Sequence, residues 1–224
     1  MGTLLLRLAG PLQAWGIDSK FETRRTQRIP TKSGVVGLLA AALGRKRDAP
    51  LDDLNQLSFG VRVDQEGSVL RDFHTAKSET DSYLTHRDYL ADAIFLVGLE
   101  SENEGFLEEL DQALRAPAFP LFLGRRSCPP TLPLTLGIRT QGLVEALTQE
   151  PWQKPLWRQR RGEALPLVTD VLPGESTSAV QRDEAISFHI RRREYGWRGV
   201  MRRDPVRVEP QRIETNHDAM EELR

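Results

Sequence analysis

Ala91-Asp92-Ala93-Ile94-Phe95-Leu96-Val97-Gly98-Leu99 is nearly all apolar. A strand covered on both faces reads this way, because its side chains alternate sides and neither side meets water. The period then changes. Phe106, Leu107, Leu110, Ala113 and Leu114 recur at helical spacing, behind an acidic first turn and with Arg115 at the end, as the helix dipole favours. Pro117 stops that helix. A buried strand feeding an amphipathic helix points to a sheet with helices laid on it.

Working outward, residues 3–9 form a Leu-rich strand, and residues 10–30 are irregular, polar and basic, broken by Gly10-Pro11 and Gly16. So long a loop in a compact domain is functional or disordered. Residues 35–43 predict a helix capped by Thr31 or Ser33 and ended at Gly44 in the left-handed conformation. Leu51, Leu54 and Leu57 predict a short second helix after Pro50. Residues 59–63 and 69–73 alternate around 64–67, which predicts a hairpin. Residues 74–90 are polar and interrupt the core pattern. Downstream, residues 132–138 read as a strand and 142–149 as a short helix. Four prolines follow, and then alternation through Ile186, Phe188 and Ile190, with further strand signals at Tyr195, Trp197, Val206 and Val208. The order predicts an α+β chain. Its elaborated ferredoxin-like (RRM-like) palm spans residues 1–140, with an insertion at about 74–90. Residues 141–224 form a β-rich C-terminal extension packed on the palm.

With 224 residues and a hydrophobic fraction of 39%, the chain holds one ordinary core. The longest apolar stretch, 34–44, is far shorter than the ~20 residues of a membrane span. The amino-terminal residues lack a basic region leading into a signal-like apolar block. One cysteine, Cys128, leaves no internal disulfide and no Cys-cluster zinc site, which fits a reducing cytoplasm. Net charge is −1, so bulk charge does not announce a nucleic-acid partner. Its distribution says more: basic residues dominate 20–32, 154–161 and 191–203, and acidic ones gather in 100–111 and at Glu221-Glu222. Arginine far exceeds lysine, and its planar fork suits phosphates and stacked bases.

Four segments have chemistry to offer. Arg24, Arg25, Arg28 and Lys32 lie in a loop feeding a helix N-terminus, where unpaired N–H groups attract phosphate. The run Thr31-Lys32-Ser33-Gly34 lacks the glycine spacing of a nucleotide-triphosphate loop, and an ordinary capped helix beside a solvated loop accounts for it equally well. In Gly124-Arg125-Arg126-Ser127-Cys128-Pro129, two arginines and a hydroxyl suit a kinked phosphate chain, and a surface turn explains them equally. Cys128 reads as a small buried thiol, because no base lies nearby in sequence. Residues 74–90 bring His74, Lys77, Tyr83, His86, Arg87 and Tyr89. Such a set serves an RNA-binding arm by stacking and phosphate contact, or a metal-independent ribonuclease by acid–base chemistry. Trp15, set before Gly16, is either a stacking platform or a core anchor, with the anchor favoured.

These residues resemble one family. Residues 6–16, from Leu6-Arg7-Leu8 to Gln13-Ala14-Trp15-Gly16, are similar to the opening signature of the CasD family of type I-E CRISPR Cascade subunits, members of the RAMP superfamily. Residues 28–38, with Arg28-Ile29-Pro30-Thr31-Lys32-Ser33-Gly34, are similar to its next signature. Arg71-Asp72-Phe73-His74-Thr75 and residues 87–93 match the edges of its thumb, and residues 123–129 match a late motif. The blocks arrive in order over about the first 140 residues, and beyond 141 the match is loose.

The resemblance implies a palm with a protruding thumb that binds and kinks the 5′ handle of the CRISPR RNA. It implies contacts to a backbone subunit, a large subunit and a processing endonuclease subunit, with target DNA met only indirectly. No catalytic residue, cofactor or metal is implied. Phosphate contacts are expected from Arg24, Arg25, Arg28, Lys32, Arg125 and Arg126. Thumb contacts are expected from His74, Lys77, Arg87 and Tyr89. Looser roles fall to Trp15, Ser33, Ser127 and Gln13. The alternative is a metal-independent endoribonuclease acting on CRISPR repeats. A third reading is a protein–protein scaffold whose basic loops face acidic partners.

Overall fold

The computed structural model describes residues 1–16, 23–77, 81–172 and 174–210. In chain order the elements begin with β1 (Gly2–Ala9), the short strands β2 (Leu12–Gln13) and β3 (Thr23–Arg24), and the helices α1 (Lys32–Ala42) and α2 (Asp52–Asn55). Then come β4 (Ser58–Gln65), β5 (Ser68–Lys77), β6 (Ser82–Ala91), β7 (Ile94–Ser101) and α3 (Glu104–Arg115). The rest is β8 (Thr135–Arg139), α4 (Leu143–Gln149), a 3-10 turn (Leu156–Arg158), β9 (Ala164–Asp170), β10 (Ala179–Phe188) and β11 (Arg193–Arg207). Seven strands form an antiparallel sheet in the order β10-β11-β9-β4-β7-β1-β8. A second sheet is built on β6, with β5 along one edge and β2 and β3 along the other.

The apolar runs of β1 and β7 are explained by cover on both faces. Leu4, Leu6 and Leu8 of β1 point to the layer of α1 and α3 with Val35, Leu39, Leu107 and Leu110. Leu5 and Leu96 point the other way, to Leu143 and Leu147 of α4 and to Trp152. Each such leucine contributes about 1.5–3 kcal/mol by leaving water. Helix α4 thus lies on the face of the sheet opposite α1 and α3. Its approach is set by two glycines. Gly60 of β4 pairs across the sheet with Gly98 of β7, and a Cβ on either would stand 2.7 Å from a leucine methyl of α4. Only glycine admits the helix so close.

The hairpin predicted from residues 59–63 and 69–73 does not form. Both segments are strands, but β4 lies between β7 and β9 in the large sheet while β5 turns away to pair with β6. The reason is burial. Every residue from Phe59 to Asp64 is buried, whereas β5 leaves Val69, Leu70 and Phe73 largely exposed. Alternation identifies a strand without naming its partner. The polar insertion is therefore a regular β5–β6 hairpin that starts earlier than residue 74.

Residues after 141 join the palm's sheet rather than lying on it, because β9 hydrogen-bonds directly to β4. A buried side chain secures the junction. Arg62 meets Asp64 through Nε (2.7 Å) and Nη2 (2.9 Å), and donates to the carbonyls of Leu147 and Glu150 (2.7 Å each) and of Pro151 (2.9 Å). All five of its donors are used, and two of them satisfy carbonyls at the end of α4.

Candidate nucleic-acid interface

Helix α1 begins as predicted, with Thr31 Oγ1 accepting from the Gly34 N–H at 3.2 Å. What occupies its N-terminus was not foreseen. The Lys32 N–H donates to Asp183 Oδ2 at 2.9 Å, so a protein carboxylate sits where a phosphate was expected. The Lys32 side chain is buried and pairs with Asp170 at 2.9 Å. Arg198 completes the group, 2.7 Å from Asp183 and 2.5 Å from Asp170. Burial opposes the charge of Arg198, but the two carboxylates prevail and hold its guanidinium more firmly protonated than usual. Lys32 is thus spent on tying α1 to β9 and β10, and it is withdrawn as a phosphate contact. Ser33 beside it is also buried, though it lines the cleft described below.

Trp15 is fully buried. Its Nε1 donates to Gln13 Oε1 at 3.1 Å, and Gln13 in turn donates to the carbonyls of Leu8 (3.2 Å) and Ala93 (2.7 Å). The indole lies against Gly34, where a Cβ would come within 2.8 Å of the ring. Trp15 is a core anchor and not a stacking platform, and Gln13 is buried with it. Among the described cations of this loop, Arg24, Arg25 and Arg28 reach solvent.

Arg125 also proves to be an organiser. Gly124 before it has φ +82°, and a Cβ there would stand 1.7 Å from the Ala14 carbonyl oxygen. The turn thrusts Arg125 over the Tyr89 ring, 4.6 Å from its centroid. From there Nη1 donates to the Asp88 carbonyl (3.0 Å) and Nη2 to the Arg24 carbonyl (2.7 Å). Tyr89 is buried under this clamp, so it is withdrawn as a thumb contact. Arg126 and Ser127 stay exposed on the same turn. Cys128 is fully buried, and burial pushes its thiol above the usual range, which leaves it chemically quiet.

The hairpin register sorts its side chains. His74 pairs opposite Thr85 and shares a face with Tyr83 and Arg87, while Lys77, three positions on, falls on the opposite face with Leu84 and His86. His74 Nε2 lies 2.7 Å from Asp72 Oδ2. Arg87 is half-buried, and its Nε has no hydrogen-bond partner among the described residues. Asp88 is held by Arg71 at 2.8 Å, and that bond, with help from Arg125 and Arg25, keeps its carboxyl below the usual range.

Beside the clamp opens a cleft of about 840 Å3. Arg24, Arg45, Lys46, Arg47, Arg125 and Arg193 stand around it, with Phe119, Phe122, Phe188 and Tyr195 as its apolar wall. No acidic residue lines it among the described residues. Arg45 is bound by Asp53 (Nη1 to Oδ1, 2.7 Å), a bond that raises the arginine's pKa and lowers the carboxylate's. Lys46, Arg47 and Arg193 are exposed. Among the described residues no group of His, Cys, Asp and Glu converges in a way that could hold a metal ion.

Residues 3–201 match the family described as CRISPR-associated protein (Cas_Cas5). The chain belongs to the Cas5 family. It is 41% identical to the CRISPR system Cascade subunit CasD of Escherichia coli (strain K12), over 60% of this chain and 70% of that one. A solved structure of a "CRISPR RNA-guided surveillance complex" matches 92% of this chain and 91% of its own at 33% identity, with a TM-score of 0.78. Another, a "Crystal structure of Cas protein", matches 93% of this chain and 100% of its own at 40% identity, with a TM-score of 0.73. These likenesses bear out the CasD resemblance and the ferredoxin-like palm. No helix among the described residues of this Cas5 chain is long and apolar enough to cross a membrane.

Sequence reasoning missed Arg45, Lys46, Arg47 and the aromatic wall as parts of the Cas5 cleft. Three consecutive bases just after the helix stop at Gly44 were the available signal. The aromatics had none, because Phe119, Phe122, Phe188 and Tyr195 come from distant segments that only the fold unites.

Proposed function

We propose that this chain is an RNA-binding scaffold subunit of a CRISPR Cascade complex, one that holds the 5′ handle of the CRISPR RNA bent and cuts nothing itself. The observation that carries the reading is the arginine-rich cleft, open beside an outstretched hairpin and free of acidic lining among the described residues. A strand of RNA needs such phosphate neutralisation along its path and aromatic surface where bases leave the stack. The Cascade name of the E. coli relative and the likeness to a solved RNA-guided surveillance complex support the setting. Arg24, Arg25, Arg28, Lys46, Arg47 and Arg126 of the palm and Arg193 of β11 are exposed cations placed to meet the RNA, and His74, Lys77 and Arg87 are the proposed contacts of the hairpin. Arg125 acts through the shape it imposes. The backbone, large and endonuclease subunits are the proposed neighbours, in the cytoplasm, with target DNA met only through them.

The endoribonuclease reading is the weaker one. It needs a base and a proton donor converging on one phosphate, and the strand register puts His74 and Lys77 on opposite faces. The decisive experiment incubates the purified chain with labelled CRISPR repeat RNA in EDTA and scores binding and cleavage on one gel. Intact RNA in a handle-dependent, salt-sensitive complex is the expected result. A specific cut, lost on replacing His74 and Lys77, would overturn the scaffold reading.

A further inference from the structure

The basic run at 154–161 takes no part in the cleft above, and it forms a braced loop at the root of the hairpin. Trp152 is buried and donates its indole N–H to the Asp64 carbonyl (2.9 Å), while the Gln153 N–H donates to Asp64 Oδ2 (2.6 Å). Lys154 closes the far end against both carboxylate oxygens of Glu163, at 3.0 Å each. Gln159 Nε2 ties the middle to the Lys154 carbonyl (2.7 Å).

On this frame Trp157 stands 77% exposed, with the Arg158 guanidinium 4.5 Å from the centre of its ring. Arg160 and Arg161 follow, both exposed, before a turn at Gly162 with φ +79°. The loop faces Ser68, Ala91 and Asp92 across a second cleft of about 820 Å3, which shares no lining residue with the first. Glu163 is neutralised by Lys154, so three arginines face Glu66 and Asp92. A rigid loop that holds a large indole in water, one face under an arginine and the other open, suits a planar ligand of negative charge.

We infer that this loop is a second binding site, for single-stranded nucleic acid, with one unstacked base on the open face of Trp157 and the flanking phosphates on Arg160 and Arg161. Trp and Arg also anchor protein interfaces, so an acidic protein surface is the outcome the test must exclude; an arginine-capped indole followed by two further arginines matches the base-and-phosphate repeat of a strand. The inference is independent of the handle reading, and its test keeps the two apart.

Fluorescein-labelled 12-mers of uridine and of thymidine are titrated into the full chain by anisotropy, in a background where Arg24, Lys46, Arg47 and Arg193 are alanine so that the exposed cations of the first cleft are removed. Trp157→Ala weakens binding at least about fivefold, the lower end of what one base–aromatic stack supplies, and Trp157→Phe restores most of it. Arg160→Ala with Arg161→Ala flattens the slope of log K on log salt by about 1.4. The two oligomers tell whether the strand is RNA, DNA or either. Loss of all binding in the background variant would sink the second site and leave the first standing. Binding untouched by the loop substitutions, in chains whose circular dichroism is unchanged, would do the same. Capture of a labelled poly-glutamate peptide in place of both oligomers would make the loop a protein surface and overturn the inference.

Discussion

The guanidinium of Arg125 rests 4.6 Å above the ring of Tyr89 and donates at once to the carbonyls of Asp88 and Arg24. One side chain thereby joins the turn after Gly124, the root of β6 and the short parallel strand β3. Its neighbour Arg126 is exposed and makes no such bond among the described residues. Adjacent arginines therefore have separate jobs. Arg125→Ala should lower stability by about 1–3 kcal/mol, the worth of two charged hydrogen bonds and a ring contact. Arg126→Ala should leave the melting temperature unchanged and weaken RNA binding with a shallower salt slope. Thermal melts beside filter binding separate the two, and equal melting temperatures for both variants would refute the division.

Asp183 predicts a larger effect. It is 1% exposed as a side chain and holds both Arg198 and the first N–H of α1. Asp183→Ala leaves a buried guanidinium short of a partner, a change that costs about 3–5 kcal/mol. Urea titration should show that loss as a lower midpoint with an unchanged slope. A loss under about 1 kcal/mol would mean that Asp170 alone suffices.

Acid should loosen the hairpin root before the core. The Asp88 carboxyl, bound by Arg71, has a folded pKa below its unfolded value. The stability it lends is complete above the unfolded value, near 4, and is lost as pH falls through the folded one. Asp53, bound by Arg45, has the same sign. Stability should therefore decline from about pH 4 downward, and Asp88→Asn should flatten part of that decline. Melts between pH 2 and pH 7 test this, and an identical acid limb in the variant would exclude Asp88 as a contributor.

Gly60 and Gly98 make the contact with α4 a matter of a single methyl group. Alanine at either must push against Leu147 or Leu143, and overpacking of this kind costs about 1–3 kcal/mol. Gly162→Ala meets nothing within 4 Å, so it reports only the strain of its positive φ. Denaturation midpoints for the three variants should rank with Gly162→Ala least affected in packing-sensitive near-ultraviolet dichroism.

Apolar runs, helical spacing and caps in the sequence were enough to locate β1, β7, α1, α3 and α4, because each of those signals is local to its element. They could not assign β5 to β6, since alternation records which faces are covered and not which strand covers them. The site divides in the same way. The exposure of Arg24, Arg28 and Arg126 was readable, because a solvent-facing turn or loop needs no distant partner to explain it. Lys32 was not, because its partner Asp170 lies 138 residues away. Trp15 could be weighed only as anchor or platform until Gly34 was seen beneath its ring.

The insertion of β9 between β4 and β11 has a consequence for the nascent chain. Until residues 164–170 have been made, β4 stands as an open edge in the middle of what will be a seven-stranded sheet. Unpaired edges of that kind recruit other strands. A palm cut off near residue 140 is accordingly not a smaller version of this protein but a sheet ending in an adhesive border, which stays open until residues 164–170 have left the ribosome and paired with it.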